Sequence, residues 1–159
     1  MTNTSTPTVR KSIKVAGTAY DSCLTTPQDM QMANRTTRCE YGLNLGLTED
    51  AAAEINRAID DVQLEQWGHI SEEIISPIYD GVELGIDEPK AITLGSIYKP
   101  DVTEEIPDGT HIEIVINIRA YEGTYRHGVV CNLAKIFPSV SRRRFVKNAA
   151  QIEASEVTA

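Results

Sequence analysis

The chain has 159 residues, of which 41% are hydrophobic and 24% charged, and its net charge is −8. This length allows one domain with a real core, and the composition is typical of a globular protein. The most apolar stretch, residues 112–118, contains charged and polar residues and is much shorter than the roughly 20 residues of a membrane-spanning helix, so we predict no membrane span.

The first predicted elements are a flexible arm over residues 1–9 and a strand over residues 11–20. In the strand, apolar and polar side chains alternate with the two-residue period of a half-buried sheet. Lys14 and Tyr20 lie on its polar face. A single domain is therefore expected to begin near residue 10.

Residues 21–37 show little periodicity and predict a long connection, with Arg35 and Arg38 near its far end. A second strand follows over residues 38–47, where an apolar face opposes a face of mostly glycine and small polar residues. Another backbone or a ligand can approach such a bare face closely.

A helix is predicted to begin after Thr48 and to end at Gly68. Threonine is a good N-cap, the acids that follow it complement the positive end of the helix dipole, and apolar residues recur at helical spacing. The pattern is weak over residues 69–87, and residues 90–98 then predict a third strand, followed by an acidic loop.

A β-hairpin over residues 111–137 is the clearest structural signal. Isoleucine occupies every second position from 112 to 118, and Glu122-Gly123 is the natural two-residue turn. That turn places Arg119 opposite Arg126, and two like charges are unfavourable there unless an anion lies between them or a bulge shifts the register. The pair therefore points to a phosphate ligand.

Acidic and basic residues are concentrated in different parts of the chain. Residues 49–122 are acidic, whereas residues 124–147 contain six bases and no acid, including the cluster Arg142-Arg143-Arg144. A basic sheet edge can bind an anionic partner, of which nucleic acid is the commonest. A solvated basic segment is the alternative for the cluster. Residues 139–159 are expected to form a basic, then mildly acidic tail.

Tyrosines near these bases, among them Tyr20, Tyr121 and Tyr125, can stack on the bases of single-stranded nucleic acid. The alternative is that they fit a pleated, half-buried sheet and have no ligand.

Motifs for catalysis and metal binding are absent from the sequence. The three histidines lack H-x-x-x-H spacing, the three cysteines lack C-x-x-C spacing, and there is no phosphate-binding glycine loop or nucleophile elbow. We therefore predict no enzyme, no metal and no cofactor, with free thiols in a reducing compartment.

Three segments carry a resemblance to a known family. They read Val-Arg-Lys-Ser-Ile-Lys-Val-Ala-Gly, Ile-Glu-Ile-Val-Ile-Asn-Ile-Arg-Ala-Tyr after Asp108-Gly109, and Gly-Val-Val-Cys-Asn-Leu-Ala-Lys-Ile. With an Ala/Glu-rich helix directly after the second strand, residues 10–138 resemble the single-stranded-DNA-binding proteins of tailed phages, a divergent OB-fold group. Such proteins often end in an acidic tail that recruits replication partners, whereas residues 151–159 hold only two acids.

The resemblance implies a β-rich (α+β), five-stranded OB-like barrel with one main helix. It implies a non-catalytic protein of phage DNA replication or recombination that binds single-stranded DNA in the host cytoplasm, with replication proteins and a second copy of the chain as further partners. The residues expected to contact DNA are Lys14, Tyr20, Arg35, Arg38, Arg119, Tyr121, Tyr125 and Arg126.

Two alternatives remain open at this point. The first is a small virion or tail protein that self-associates through exposed sheet edges. The second is a small-molecule-binding or hydrolytic β-barrel, which requires a deep pocket with convergent polar groups.

Overall fold

The computed structural model describes residues 8–31, 37–124 and 127–137. In chain order, the elements are β1 (Arg10–Gln31), β2 (Thr37–Leu47), α1 (Glu49–Trp67), β3 (Tyr79–Asp80), α2 (Gly81–Leu84), β4 (Lys90–Ser96), β5 (Thr110–Glu122) and β6 (His127–Phe137). In these ranges, no helix is long and apolar enough to cross a membrane.

The strands form one antiparallel sheet in the order β3-β4-β2-β1-β5-β6. The first half of β1 pairs with β5, and its second half pairs with β2. The sheet is strongly curved, so that β6 approaches β4. Asn132 Nδ2 of β6 donates a hydrogen bond of 3.4 Å to the Gly95 carbonyl of β4. Because β3 has only two residues, the barrel consists of five main strands with the connectivity of an OB-fold. The predicted fold class is confirmed.

The core lies between one face of this sheet and α1. Alternation along the strands buries one apolar row from each, and the four isoleucines of β5 from Ile112 to Ile118 are at most 1% exposed. The apolar stripe of α1 packs on the same side through Ile55, Ile59 and Val62. Each such side chain contributes about 1.5–3 kcal/mol when fully buried. We call the opposite face of the sheet, which faces away from α1, the outer face.

Both predicted ends of the main helix are confirmed. The Thr48 hydroxyl accepts a hydrogen bond from the Ala51 backbone N–H at 3.1 Å, which satisfies a donor in the first turn. Gly68 ends the helix with φ 79°, in the left-handed region that glycine enters without a steric penalty.

The predicted connection over residues 21–37 is wrong for most of its length. β1 continues to Gln31 and pairs with the first residues of β2, with register irregularities between Tyr20 and Cys23 and between Cys23 and Gln28. These irregularities break the alternation of side chains, and the sequence pattern therefore looks like a loop.

The predicted register of the β5–β6 hairpin is also wrong. Arg119 pairs with Val130, and Glu122 is still in the strand, opposite His127. Glu122 is held there because its Oε2 accepts hydrogen bonds from Gln66 Nε2 at 2.9 Å and from Trp67 Nε1 at 2.7 Å. The shift is an even number of residues, so the apolar rows still face the core.

Candidate nucleic-acid interface

Four basic side chains share the outer face of β1, β5 and β6. Arg10 lies directly opposite Arg119 across the β1–β5 ladder. Val115 lies between Lys14 on β1 and Lys135 on β6. We call Arg10, Lys14, Arg119 and Lys135 the basic patch. Among the described outer-face residues of the β1–β5 and β5–β6 ladders, the only carboxylate is that of Glu113.

The pair of Arg10 and Arg119 replaces the predicted pair of Arg119 and Arg126. Directly opposed like charges on one sheet face repel each other, and an anion between them removes that cost. Arg10 is exposed and Arg119 half-buried, so solvent reaches the pair. The inference of a phosphate ligand therefore applies to a different arginine pair from the one that the sequence predicted.

Lys14 and Lys135 both lie near a partly buried aromatic ring. Their Nζ atoms are 4.8 Å and 4.9 Å from the centroid of the Phe137 ring. Lys14 also forms an ion pair of 3.5 Å with Glu113, with both side chains largely exposed. An exposed pair of this kind contributes about 0–1 kcal/mol, so an incoming phosphate can displace it.

Tyr121 lies on the same face as Arg119, two residues further along β5. Its ring packs on Gly128, where a Cβ atom would come within 2.7 Å of the Tyr121 hydroxyl oxygen. The absence of a side chain at residue 128 thus lets the ring pack directly against the neighbouring strand. Tyr121 is half-buried, so part of its surface reaches solvent, and aromatic side chains of this kind can stack on bases.

Tyr20 is on the outer face but has acidic neighbours. Its hydroxyl donates a hydrogen bond of 3.1 Å to Glu88. Partial burial, this hydrogen bond and the nearby charges of Glu88, Asp87 and Asp108 raise the pKa of Tyr20. The structure therefore separates Tyr20 from the basic patch, and its predicted role in binding stays a prediction.

The remaining predicted residues are Arg35, Arg38, Tyr125 and Arg126. Arg38 belongs to β2, and its backbone pairs with Met30. Arg35, Tyr125 and Arg126 lie outside the described residues, as does the basic cluster at residues 142–147. The structure thus brings together Lys14, Arg119 and Tyr121, and DNA contact by all eight predicted residues stays a prediction.

Three residues of this surface were missed from the sequence. Arg10 is four residues before Lys14 and shares its strand face, and Lys135 and Phe137 are two residues apart on β6. The two-residue period of a strand was enough to place Arg10 on the same face as Lys14. Lys135 and Phe137 could not be assigned to this surface without the register, because the β5–β6 ladder has an irregularity between Val115 and Ile116.

The basic patch lies on the face of the sheet away from the acidic helix α1. Acidic residues populate the exposed side of α1, and the odd-numbered Lys11 of β1 reaches toward that side to pair with Asp61 at 3.3 Å. The basic patch on the outer face thus combines four bases with one neighbouring carboxylate, that of Glu113. No group of three or more histidine, cysteine or acidic residues in the described ranges can hold a metal ion.

Comparisons with known proteins identify a shared fold. No protein-family model and no curated protein matches this chain. The single-stranded DNA-binding protein from bacteriophage Enc34 is similar, with a TM-score of 0.52 at 19% identity, covering 79% of this chain and 78% of that chain. Its structure in complex with ssDNA gives 0.54 at 18% identity over 79% and 84%, and its C-terminal truncation gives 0.52 at 21% over 79% and 83%. The predicted resemblance is confirmed for the fold.

Proposed function

We propose that this protein binds single-stranded DNA through the outer face of its sheet, mainly by contacts to the phosphate backbone. The observation that carries the proposal is the directly opposed pair of Arg10 and Arg119, with Lys14 and Lys135 on the same face. The proposal is supported by the fold, which is shared with a phage protein whose structure contains ssDNA.

The chemistry of the basic patch suits a flexible, charged strand. Arginine and lysine side chains neutralise phosphates and release condensed counterions, a contribution that does not depend on base sequence. Tyr121 and Phe137, both half-buried on the same face, supply ring surfaces beside these charges. Stacking of a base on an aromatic ring contributes about 1–3 kcal/mol and tolerates every base.

The biological role that we propose is non-catalytic coating of single strands in phage-type DNA replication or recombination, in the host cytoplasm. The further partners that we propose for this role are replication proteins and other copies of this chain. The fold shared with a phage DNA-binding protein supports this role.

The proposal is tested by fluorescence anisotropy of a labelled oligonucleotide at several salt concentrations, with a duplex of equal length for comparison. We expect tighter binding to the single strand. In the double variant Arg10→Ala/Arg119→Ala, affinity falls and the slope of log affinity against log salt decreases by up to about 1.4, since each phosphate contact contributes about 0.7.

A matched control removes the same two charges elsewhere. Lys11 and Lys90 are paired with Asp61 at 3.3 Å and with Asp80 at 3.4 Å, and neither belongs to the basic patch. The variant Lys11→Ala/Lys90→Ala should keep the wild-type slope. Equal losses in the two double variants would contradict the site. An absence of binding at low salt would contradict the function and favour the self-associating assembly protein.

A further inference from the structure

A polar depression of about 330 Å³ lies on the outer face where β1, β2 and β4 meet. Its lining includes the carboxylates of Asp21 and Asp29 and the polar side chains of Asn44, Thr93 and Tyr79. This volume is at the lower end of the range for small-molecule sites. A space of this size accommodates one planar ring better than a folded segment of a polymer. In OB-folds, the face of the second and third barrel strands, here β2 and β4, is where oligonucleotides bind.

Hydrogen bonds fix which atoms the depression presents. Thr93 Oγ1 donates to Asn44 Oδ1 at 2.7 Å and is 2.8 Å from the Tyr79 hydroxyl. Asn44 Nδ2 donates to Asp21 Oδ2 at 3.1 Å. Because a carboxylate can only accept, the amide nitrogen of Asn44 must face Asp21. The amide nitrogen has a second proton and the carboxylate a second oxygen, so a donor and an acceptor lie side by side.

The backbone holds Asp21 in place for this arrangement. Asp21 has φ 54°, which is uncommon for a residue other than glycine but which aspartate tolerates better than most. Its N–H donates a hydrogen bond of 2.8 Å to Asp108 Oδ1. It also lies in the register irregularity between Tyr20 and Cys23, and such bulges redirect side chains next to functional sites.

We propose that this depression takes one unstacked base of the bound strand and favours bases that carry an exocyclic amino group over thymine. This inference rests on the proposed function. Cytosine and adenine each present an amino donor beside a ring-nitrogen acceptor, which complements the carboxylate of Asp21 and the remaining N–H of Asn44. Thymine can also present a donor beside an acceptor, its single ring N–H beside a carbonyl oxygen, but it has no second proton to donate. An exocyclic amino group has two protons, and two acceptor-only carboxylates, those of Asp21 and Asp29, line the depression.

The negative charge of Asp21 and Asp29 also decides which part of a nucleotide enters. Phosphates are repelled here and attracted to the basic patch, so a base is the component that fits. Along β1, Lys14 and Asp21 are seven residues apart, at most about 23 Å in an extended strand. One short single strand can therefore reach both places.

The test compares oligo-dC with oligo-dT of equal length, two pyrimidine strands, by anisotropy at constant salt. We expect the wild type to bind oligo-dC at least about fivefold more tightly, because one matched base contact discriminates to this extent or more. In Asp21→Asn the carboxylate becomes an amide that can also donate, and the dC-to-dT affinity ratio should approach one. Asparagine tolerates the same backbone conformation. Asp101→Asn removes one charge in the exposed loop after β4 and should leave the ratio unchanged.

Asp29→Asn provides a second variant if Asp21→Asn does not fold, because Asp29 is exposed at the rim of the depression. Asp29→Asn should also bring the dC-to-dT affinity ratio closer to one. Equal affinities of the wild type for the two strands, or an unchanged ratio in the folded variants of the depression, would overturn the inference and leave the proposed function intact. Failure of the wild type to bind either strand would overturn both.

Discussion

Two glycine residues of the sheet lie where a larger side chain would meet close neighbours. Gly17 of β1 is one of them, since a Cβ at this position would be 2.5 Å from the Gly46 carbonyl oxygen and 2.7 Å from Leu45 Cγ. Gly46 of β2 is covered in turn by the side chains of Ile86 and Glu88, at 2.9 Å and 3.0 Å from its Cβ position. The two glycines differ in what a methyl group would displace.

Gly17→Ala should lower the free energy of unfolding by about 1–3 kcal/mol, because the backbone carbonyl and a buried leucine cannot move away easily. Gly46→Ala, its matched control, should cost less than about 1 kcal/mol, because the ends of two flexible side chains can turn aside. Denaturant-induced unfolding followed by circular dichroism measures both values. Equal losses of stability in the two variants would show that the packing of Gly17 against β2 is no tighter than the packing of Gly46 against residues 86 and 88.

In the irregular part of β1, the carboxylate of Glu105, from the loop before β5, accepts hydrogen bonds from backbone N–H groups in place of a neighbouring strand. Leu24 and Thr25 lie in the irregular part of β1, and their N–H groups donate to Glu105 at 2.7 Å and 2.9 Å. The hydroxyls of Ser22 and Thr25 donate to the same carboxylate at 2.8 Å and 2.6 Å. Buried or half-buried backbone donors need such partners, so Glu105 stabilises the bulged course of β1.

These hydrogen bonds determine how the stability of the element depends on pH. Partial burial raises the pKa of Glu105, but the hydrogen bonds from Thr25, Leu24 and Ser22 together outweigh it, and the net pKa is lowered from its usual 4.5. A carboxyl whose folded-state pKa is lowered contributes stability that is present above its unfolded pKa. That contribution is lost as the pH falls through the lower, folded-state pKa.

Glu105→Gln should therefore lower the free energy of unfolding by about 1 kcal/mol at pH 7 and weaken its fall below about pH 4.5. Unfolding curves at a series of pH values measure this. The neighbouring variant Glu104→Gln, at an exposed position of the same loop, should keep the wild-type pH dependence. A wild-type pH profile in Glu105→Gln would mean that this carboxylate does not stabilise the bulge.

For the whole molecule, the position of the basic patch on the face away from the acidic helix explains how an acidic chain can offer a surface for a polyanion. The net charge is −8, and α1 alone has six acids and one base, whereas Glu113 is the only described acid on the outer face of the β1–β5 and β5–β6 ladders. Charges further apart than a Debye length of about 10 Å at 0.1 M salt are largely screened. The local surface, and not the net charge, should then govern affinity.

Glu113→Gln should increase affinity for single-stranded DNA by up to about fivefold at low salt, because it removes the carboxylate that pairs with Lys14. Glu54→Gln makes the same charge change on the exposed side of α1 and should have little effect. Anisotropy titrations at low and moderate salt compare the two, and the gain should shrink as salt rises. Equal gains in both variants would indicate that net charge decides affinity.

The sequence by itself determined the helix, the five main strands and the face of each strand that is buried. These features depend on local periodicity and capping, as the isoleucine row of β5 and the caps Thr48 and Gly68 show. It also placed Lys14, Arg119 and Tyr121 on exposed strand faces, where the structure finds them together.

Only the tertiary structure decided which side chains meet across the sheet. The hairpin register depended on bonds from Gln66 and Trp67 of α1 to Glu122, and the course of β1 depended on Glu105. These partners are 55 or more residues apart in the chain, so no local pattern encodes the contact. For this reason Val130, and not the predicted Arg126, lies opposite Arg119 on β6, and Asp21 meets Asn44 in a depression that the linear sequence does not reveal.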